Sequence, residues 1–239
     1  MNENLIDKGQ KEKIDFSKKQ YLISDWDGTL VESFENILEA FATVMEGEFK
    51  VKKDDAKEFM TVTNGATLSS QFIGAAKKFT NKDVEDTIPY EEAFWKLMEG
   101  KTPKTIEGTR DFLEKAKEMG IHITVWSGTR SDFLEDQIKT LGLEFLIDFW
   151  VGTSSGTAAK NKAPLFSKII EFYKIPEVDL IEKSIVFGDG KGDIQSGKDL
   201  GIQTVGFLNN GKNNQKLEGS GADLLVERLS DLLQKFQTE

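Results

Sequence analysis

A doubly wound parallel α/β sheet, with an all-helical block inserted after its first strand, is the architecture this sequence predicts. Three observations carry it. Short apolar runs alternate with amphipathic helical segments through the second half of the chain, and one such run stands near its start. Several of these runs stop abruptly at Gly, Asp, Ser or Thr. Between them, residues 33–104 keep helical spacing and show no strand pattern.

Taken in order, residues 1–19 mix Lys, Glu, Asp and Asn with little apolar content and read as a solvated, partly disordered arm. Residues 21–23 (Tyr-Leu-Ile) form a short buried strand that stops at Asp25, Asp27, Gly28 and Thr29. In the helical block, Ile37, Phe41 and Val44 share one face, as do Phe72, Ala75 and Phe79, and then Phe94, Leu97 and Met98. Turn signals at Asn64-Gly65, Asn81 and Gly100 separate these helices. The predicted division is an arm at 1–19, an α/β core at 20–33 and 105–239, and a helical domain at 34–104.

After Pro103 the alternation returns. Residues 109–119 read as a helix ending at Gly120, and 121–126 as a strand stopped by Ser127-Gly128-Thr129. A helix at 131–141, a strand at 145–151 and a helix at 164–173 follow. Residues 184–187 give a strand stopped by Gly188-Asp189-Gly190, then a helix runs from near Asp193 to Gly201. A strand at 204–208, a short edge strand at 222–226 and a closing helix at 229–236 complete the pattern.

Composition narrows the function. The formal net charge is −10 and the three arginines (Arg110, Arg130, Arg228) are scattered, so no basic surface for nucleic acid is predicted. Cysteine is absent, which excludes thiolate metal sites and cysteine nucleophiles. The single histidine, His122, excludes a polyhistidine metal site and falls inside a strand, as a structural residue. No apolar run is long enough to span a bilayer and the first 20 residues are too polar for a signal peptide, so the expectation is a cytoplasmic protein with no membrane partner. Monomer and dimer are both compatible with the sequence.

Parallel strands align their carboxyl ends, where open α/β sheets bind ligands. Asp25 and Asp27, the group Ser127-Gly128-Thr129, and Asp189 with Asp193 should therefore meet at one edge. Lys162, just before the helix that opens at Pro164, is a further candidate. Crowded carboxylates need a cation between them. Carboxylates holding Mg²⁺, beside a hydroxyl, a glycine amide and an ammonium, suit a metal-bound phosphate. Lys160 is an alternative to Lys162, which is preferred because Lys162-Ala163-Pro164 runs straight into the helix. Trp26 and Trp126 flank these positions as packing residues.

The stretches Asp25-Trp26-Asp27-Gly28-Thr29-Leu30-Val31, Ser127-Gly128-Thr129, Lys162 and Gly188-Asp189-Gly190-Lys191-Gly192-Asp193 resemble the four motifs of the haloacid dehalogenase superfamily, in the expected order. The resemblance runs from about residue 20 to the end, and within the superfamily it is to the phosphoglycolate phosphatase and β-phosphoglucomutase branch. It implies a Rossmann-like α/β core with a helical cap and a Mg²⁺-dependent phosphatase acting on a small phosphorylated metabolite. By that resemblance Asp25 is the nucleophile and Asp27 the general acid and base. Asp25, the Asp27 carbonyl and Asp189 would hold the metal, with Asp193 a direct ligand or a support. Ser127, Gly128 and Lys162 would bind phosphate. The superfamily often has Ser where Gly190 stands, and Lys191 adds a cation next to it.

Other functions remain in competition at this stage. A phosphomutase would use the same Asp25 and Asp27 but needs a cap cation for a second phosphate. Residues 33–104 contain no Arg, leaving Lys50, Lys52 or Lys53. Carbon–halogen and phosphonate cleavage are disfavoured because Asp27 is present. A non-catalytic binding protein is the third reading, disfavoured by the intact aspartates. The polar turn at 61–71, with Thr63, Asn64, Thr67 and Ser69, is either a solvated turn or a loop that reads the substrate.

Overall fold

The computed structural model describes residues 14–63, 66–156 and 161–237. Its elements begin with strands β1 (Tyr21–Ser24) and β2 (Val31–Glu32). Helices α1 (Phe34–Phe49), α2 (Lys53–Val62), α3 (Leu68–Thr80) and α4 (Ile88–Met98) follow. Then come β3 (Lys104–Thr105), α5 (Thr109–Glu118), β4 (His122–Arg130), α6 (Ser131–Thr140) and β5 (Phe149–Thr153). The chain continues through α7 (Phe166–Tyr173), α8 (Glu177–Lys183), β6 (Ser184–Gly188), α9 (Lys191–Asp199) and β7 (Gln203–Phe207). It closes with α10 (Asn214–Leu217), β8 (Leu224–Val226) and α11 (Leu229–Gln237).

The predicted parallel sheet is present, six strands in the order β5-β4-β1-β6-β7-β8. β1 is central and buried along its whole length, as an apolar run without alternation requires in a sheet covered on both faces. Ser24 is in register with Val125 of β4 and with Phe187 of β6, so the residues that follow these three positions lie level with one another. That register brings Asp25, Ser127 and Asp189 to one edge.

Helices α1–α4 surround their own apolar cluster, which includes Phe41, Met45, Phe72 and Phe94, and Phe133 of α6 packs against it. The antiparallel pair β2–β3 joins the block to the sheet, with Val31 opposite Thr105 and Glu32 opposite Lys104. Two-residue strands give no periodicity, which is why the sequence reading missed them and assigned Lys104 to the helical stretch. The break between α1 and α2 went unnoticed because residues 50–52 carry no Gly, Asn or Pro turn signal, and α2 itself buries Ala56, Phe59 and Met60 at helical spacing. Leu97 is 38% exposed, and Trp95 takes its place on the buried face.

Four further expectations need correction. The arm is packed from residue 14 onward. Ile14 joins the core, Phe16 meets Phe236 edge-to-face at 5.1 Å, and buried Lys19 donates to the Glu182 carbonyl at 2.6 Å. Residues 1–13 lie outside the described residues. The third sheet strand starts at Phe149 and not at residue 145, since Phe145 is 84% exposed on a turn. Ser127-Gly128-Thr129 does not stop β4. The strand runs on to Arg130 with a shift of register after Trp126, and Thr153 Oγ1 donates to the Gly128 carbonyl at 2.7 Å. Helix α9 begins at Lys191, two residues before Asp193, and ends at Asp199.

Candidate active site

Each site residue is held by an identifiable local feature. The Asp25 amide donates to the Phe187 carbonyl at 2.8 Å, which extends the β1–β6 pairing past the end of β1. The chain then turns sharply. Gly28 has φ +85°, and its amide donates to the Val31 carbonyl at 2.8 Å. A Cβ there would stand 2.5 Å from Asp189 Oδ2, so only glycine lets this turn approach the acidic group. Asp193 lies in the first turn of α9, where its Oδ2 accepts from the Gly190 amide at 3.0 Å. Lys162 precedes a short 3₁₀ turn, and its amide donates to Ser196 Oγ of α9 at 3.0 Å. Asn161 adds a second tie to α9 by donating to Asp199 at 2.7 Å.

These features assemble a buried acidic cluster. Carboxylate oxygens of Asp25, Asp189 and Asp193 all lie within 4.8 Å of one another. Lys162 Nζ joins Asp25 Oδ1 and Asp193 Oδ1, the latter at 2.7 Å. On the other side, Lys216 of α10 donates to Asp189 Oδ2 at 2.6 Å and lies over the Phe34 ring, 4.2 Å from its centre. Asp27 stands apart from this cluster. Its Oδ1 accepts from Ser33 at 2.5 Å, and its Oδ2 accepts from Ser127 at 2.8 Å and Thr129 at 2.7 Å. Asp25, Asp27, Gly128, Thr129, Lys162 and Asp193 open onto one cavity, roofed by α1–α4.

The electrostatics follow from burial. Desolvation pushes the Asp25 carboxyl well above the ordinary carboxylate range; Asp193, Asp189 and Asp27 add to this, and Lys162 opposes it. Asp189 is also raised, first by desolvation, with Lys216 pulling the other way. Burial alone would lower Lys162, but Asp193 and Asp25 more than reverse that and hold it above its ordinary value. A cation fits here: Asp189 Oδ1 is buried and, among the described residues, has no hydrogen-bond partner. An all-oxygen carboxylate set of this kind suits a hard divalent ion.

The structure brings together every site residue expected from sequence, with one change of neighbourhood. Asp27 meets Ser127 and Thr129 through its side chain and contributes no carboxylate to the cluster. Lys160 lies outside the described residues. His122 is remote, stacked on Tyr21 at 5.1 Å. Trp26 is buried and donates to Gln137 at 2.7 Å, and Trp126 is buried in the sheet's other face. Sequence reasoning missed Lys216, Ser33 and the contact of Thr129 with Asp27. Nothing in the spacing around Lys216 singles it out, and Ser33 reads from sequence only as the start of the helical stretch.

Comparison with known proteins agrees with the fold. A family model described as haloacid dehalogenase-like hydrolase matches residues 22–207. The chain is 21% identical over 223 residues to a phosphoglycolate phosphatase of Colwellia psychrerythraea, covering 90% of this chain and 96% of the relative. It is 22% identical to the pyrophosphatase PpaX of Bacillus mycoides, over 89% of this chain and 94% of that one. A solved haloacid dehalogenase-like family hydrolase from Streptococcus pneumoniae superposes with a TM-score of 0.72 at 21% identity, covering 92% of this chain and 99% of that one. The chain belongs to the haloacid dehalogenase-like hydrolase family.

Proposed function

We propose that this protein is a Mg²⁺-dependent phosphatase that hydrolyses a small phosphorylated metabolite through a phosphoryl group carried on Asp25, as phosphoglycolate phosphatases would. One observation carries the reading. Asp25 stands at the end of the central strand, shared between the Lys162 ammonium and two further aspartates, and opens with Asp27 onto a single cavity. Asp25 attacks phosphorus and the ester P–O bond breaks. The leaving oxygen takes a proton from the Asp27 carboxyl. A water then attacks the phosphoryl group, gives its proton to Asp27, and leaves Asp25 free. Lys162 and the Gly128 amide, whose position has open space before it, would hold phosphoryl oxygens. Mg²⁺ held by Asp25, Asp189 and Asp193 would supply positive charge against those oxygens.

In this reading α1–α4 form a cap that closes over the site about the β2–β3 tether, and the protein works in the cytoplasm. A cap of that kind excludes water from the phosphoryl group. The mutase alternative needs a cap cation. Lys50 donates to the Gly47 carbonyl and Lys53 to Glu39, and among the described residues neither they nor Lys52 line the cavity. The test is phosphate release from p-nitrophenyl phosphate with Mg²⁺ and with EDTA. Release that EDTA abolishes is expected; no release with Mg²⁺ would refute the reading.

A further inference from the structure

The roof of the cavity indicates what leaves the phosphorus. Facing Asp25 and Asp27 are Phe34 and Ile37 of α1, Met60 of α2, Leu68 of α3, and Phe94 and Trp95 of α4. Gln71 adds the one neutral amide, and its Nε2 is already donated to the Thr63 carbonyl at 3.2 Å. Among the described residues the only cation lining the cavity is Lys162, which sits at the phosphoryl end between Asp25 and Asp193. The nearby cations are committed elsewhere. Arg130 is clamped by Asp132 at 2.6 and 2.7 Å, and Lys216 is tied to Asp189 and does not line the cavity.

Among the described residues, a leaving group with a carboxylate or a second phosphate would thus be desolvated against aromatic and aliphatic carbon with no second cation lining the cavity to meet it. Burying an unpaired charge is strongly unfavourable, whereas an apolar group gains from the same surroundings. We propose that the site takes phosphate monoesters whose leaving group is uncharged and largely apolar, in preference to those whose leaving group is anionic. This rests on the phosphatase reading. It separates the protein from a phosphoglycolate phosphatase or a pyrophosphatase, whose substrates have charged leaving groups.

Benzyl phosphate and 4-carboxybenzyl phosphate test this, because the leaving alcohols differ mainly by a remote charge. With Mg²⁺, wild-type kcat/KM should favour benzyl phosphate by at least about tenfold, the discrimination an apolar pocket readily achieves. Ile37→Lys, at a half-buried position on the roof, should narrow or reverse that ratio, with Gln71→Lys as a second variant. An equal or greater kcat/KM for the carboxylated ester in the wild type overturns the proposal while leaving the phosphatase reading intact. If neither ester nor p-nitrophenyl phosphate releases phosphate, the phosphatase reading fails and this proposal falls with it.

Discussion

Lys216 Nζ lies 2.6 Å from Asp189 Oδ2, from a four-residue helix that otherwise takes no part in the sheet edge. With Lys162 on the other side, two ammonium groups hold three buried carboxylates together before any metal is considered.

Removing Lys216 should therefore matter most without metal. Asp189 would lose its one hydrogen-bonding cation, and leaving a buried charge unpaired costs several kcal/mol. Because Lys216 keeps 18% side-chain exposure, a loss of roughly 2 kcal/mol is expected for Lys216→Met in EDTA, and clearly less in Mg²⁺. Chemical denaturation under both conditions checks this. An equal loss in both would separate Lys216 from the acidic cluster.

The raised Asp25 carboxyl gives a pH dependence with a definite sign. Its folded-state pKa lies above the unfolded value, so between the two the folded, metal-free protein holds the extra proton. Stability then falls as pH rises from about 4 through that window. Asp25→Asn removes the titration. In EDTA the melting temperature of the variant relative to wild type should thus rise between about pH 4.5 and pH 7. A difference that stays constant with pH would contradict the assignment.

Three hydroxyls aim the Asp27 carboxyl, which suits a group that must deliver a proton in one direction. Asp27→Asn should slow the first chemical step strongly for an alkyl phosphate, by about 10²-fold or more, and much less for p-nitrophenyl phosphate, whose leaving group needs little protonation. Rapid-mixing kinetics on both substrates measures that step. Equal losses would argue against an acid role.

Glu91 of α4 links the helical block to the sheet. Its buried carboxylate accepts from Ser69, from Thr87 at 2.7 Å and from the Gly156 amide at 3.1 Å, on the loop after β5. If closure of α1–α4 completes the site, Glu91→Ala should lower kcat/KM about tenfold or more by loosening that contact. Steady-state kinetics with a melting curve distinguishes this from simple unfolding, and unchanged kcat/KM in a folded variant would detach Glu91 from closure.

The sheet edge was legible in the sequence because the apolar runs of β1, β4 and β6 each give way abruptly to polar residues, and parallel pairing brings those positions level. Asp25, Ser127 and Asp189 could be named on that ground, and Asp193 and Lys162 from their places at the starts of helices. Lys216 could not, since its helix has no periodicity and its loop fixes it only through tertiary contact. The start of β5 was misjudged because Leu146 and Ile147 pack on the core ahead of the strand, giving strand-like hydrophobicity without strand geometry. The apolar roof was equally illegible: Ile37 and Phe94 read as helix core, and only the fold turns them toward Asp25.

The central claim is that Asp25 carries the phosphoryl group. The most direct measurement is rapid acid quenching of wild type and Asp25→Asn after mixing with a phosphate ester labelled with radioactive phosphorus. Wild-type protein should carry transient label that chases into phosphate, while Asp25→Asn should carry none and turn over at least about 10³-fold more slowly. Label retained on the Asp25→Asn protein, or turnover near the wild-type rate, would contradict the account.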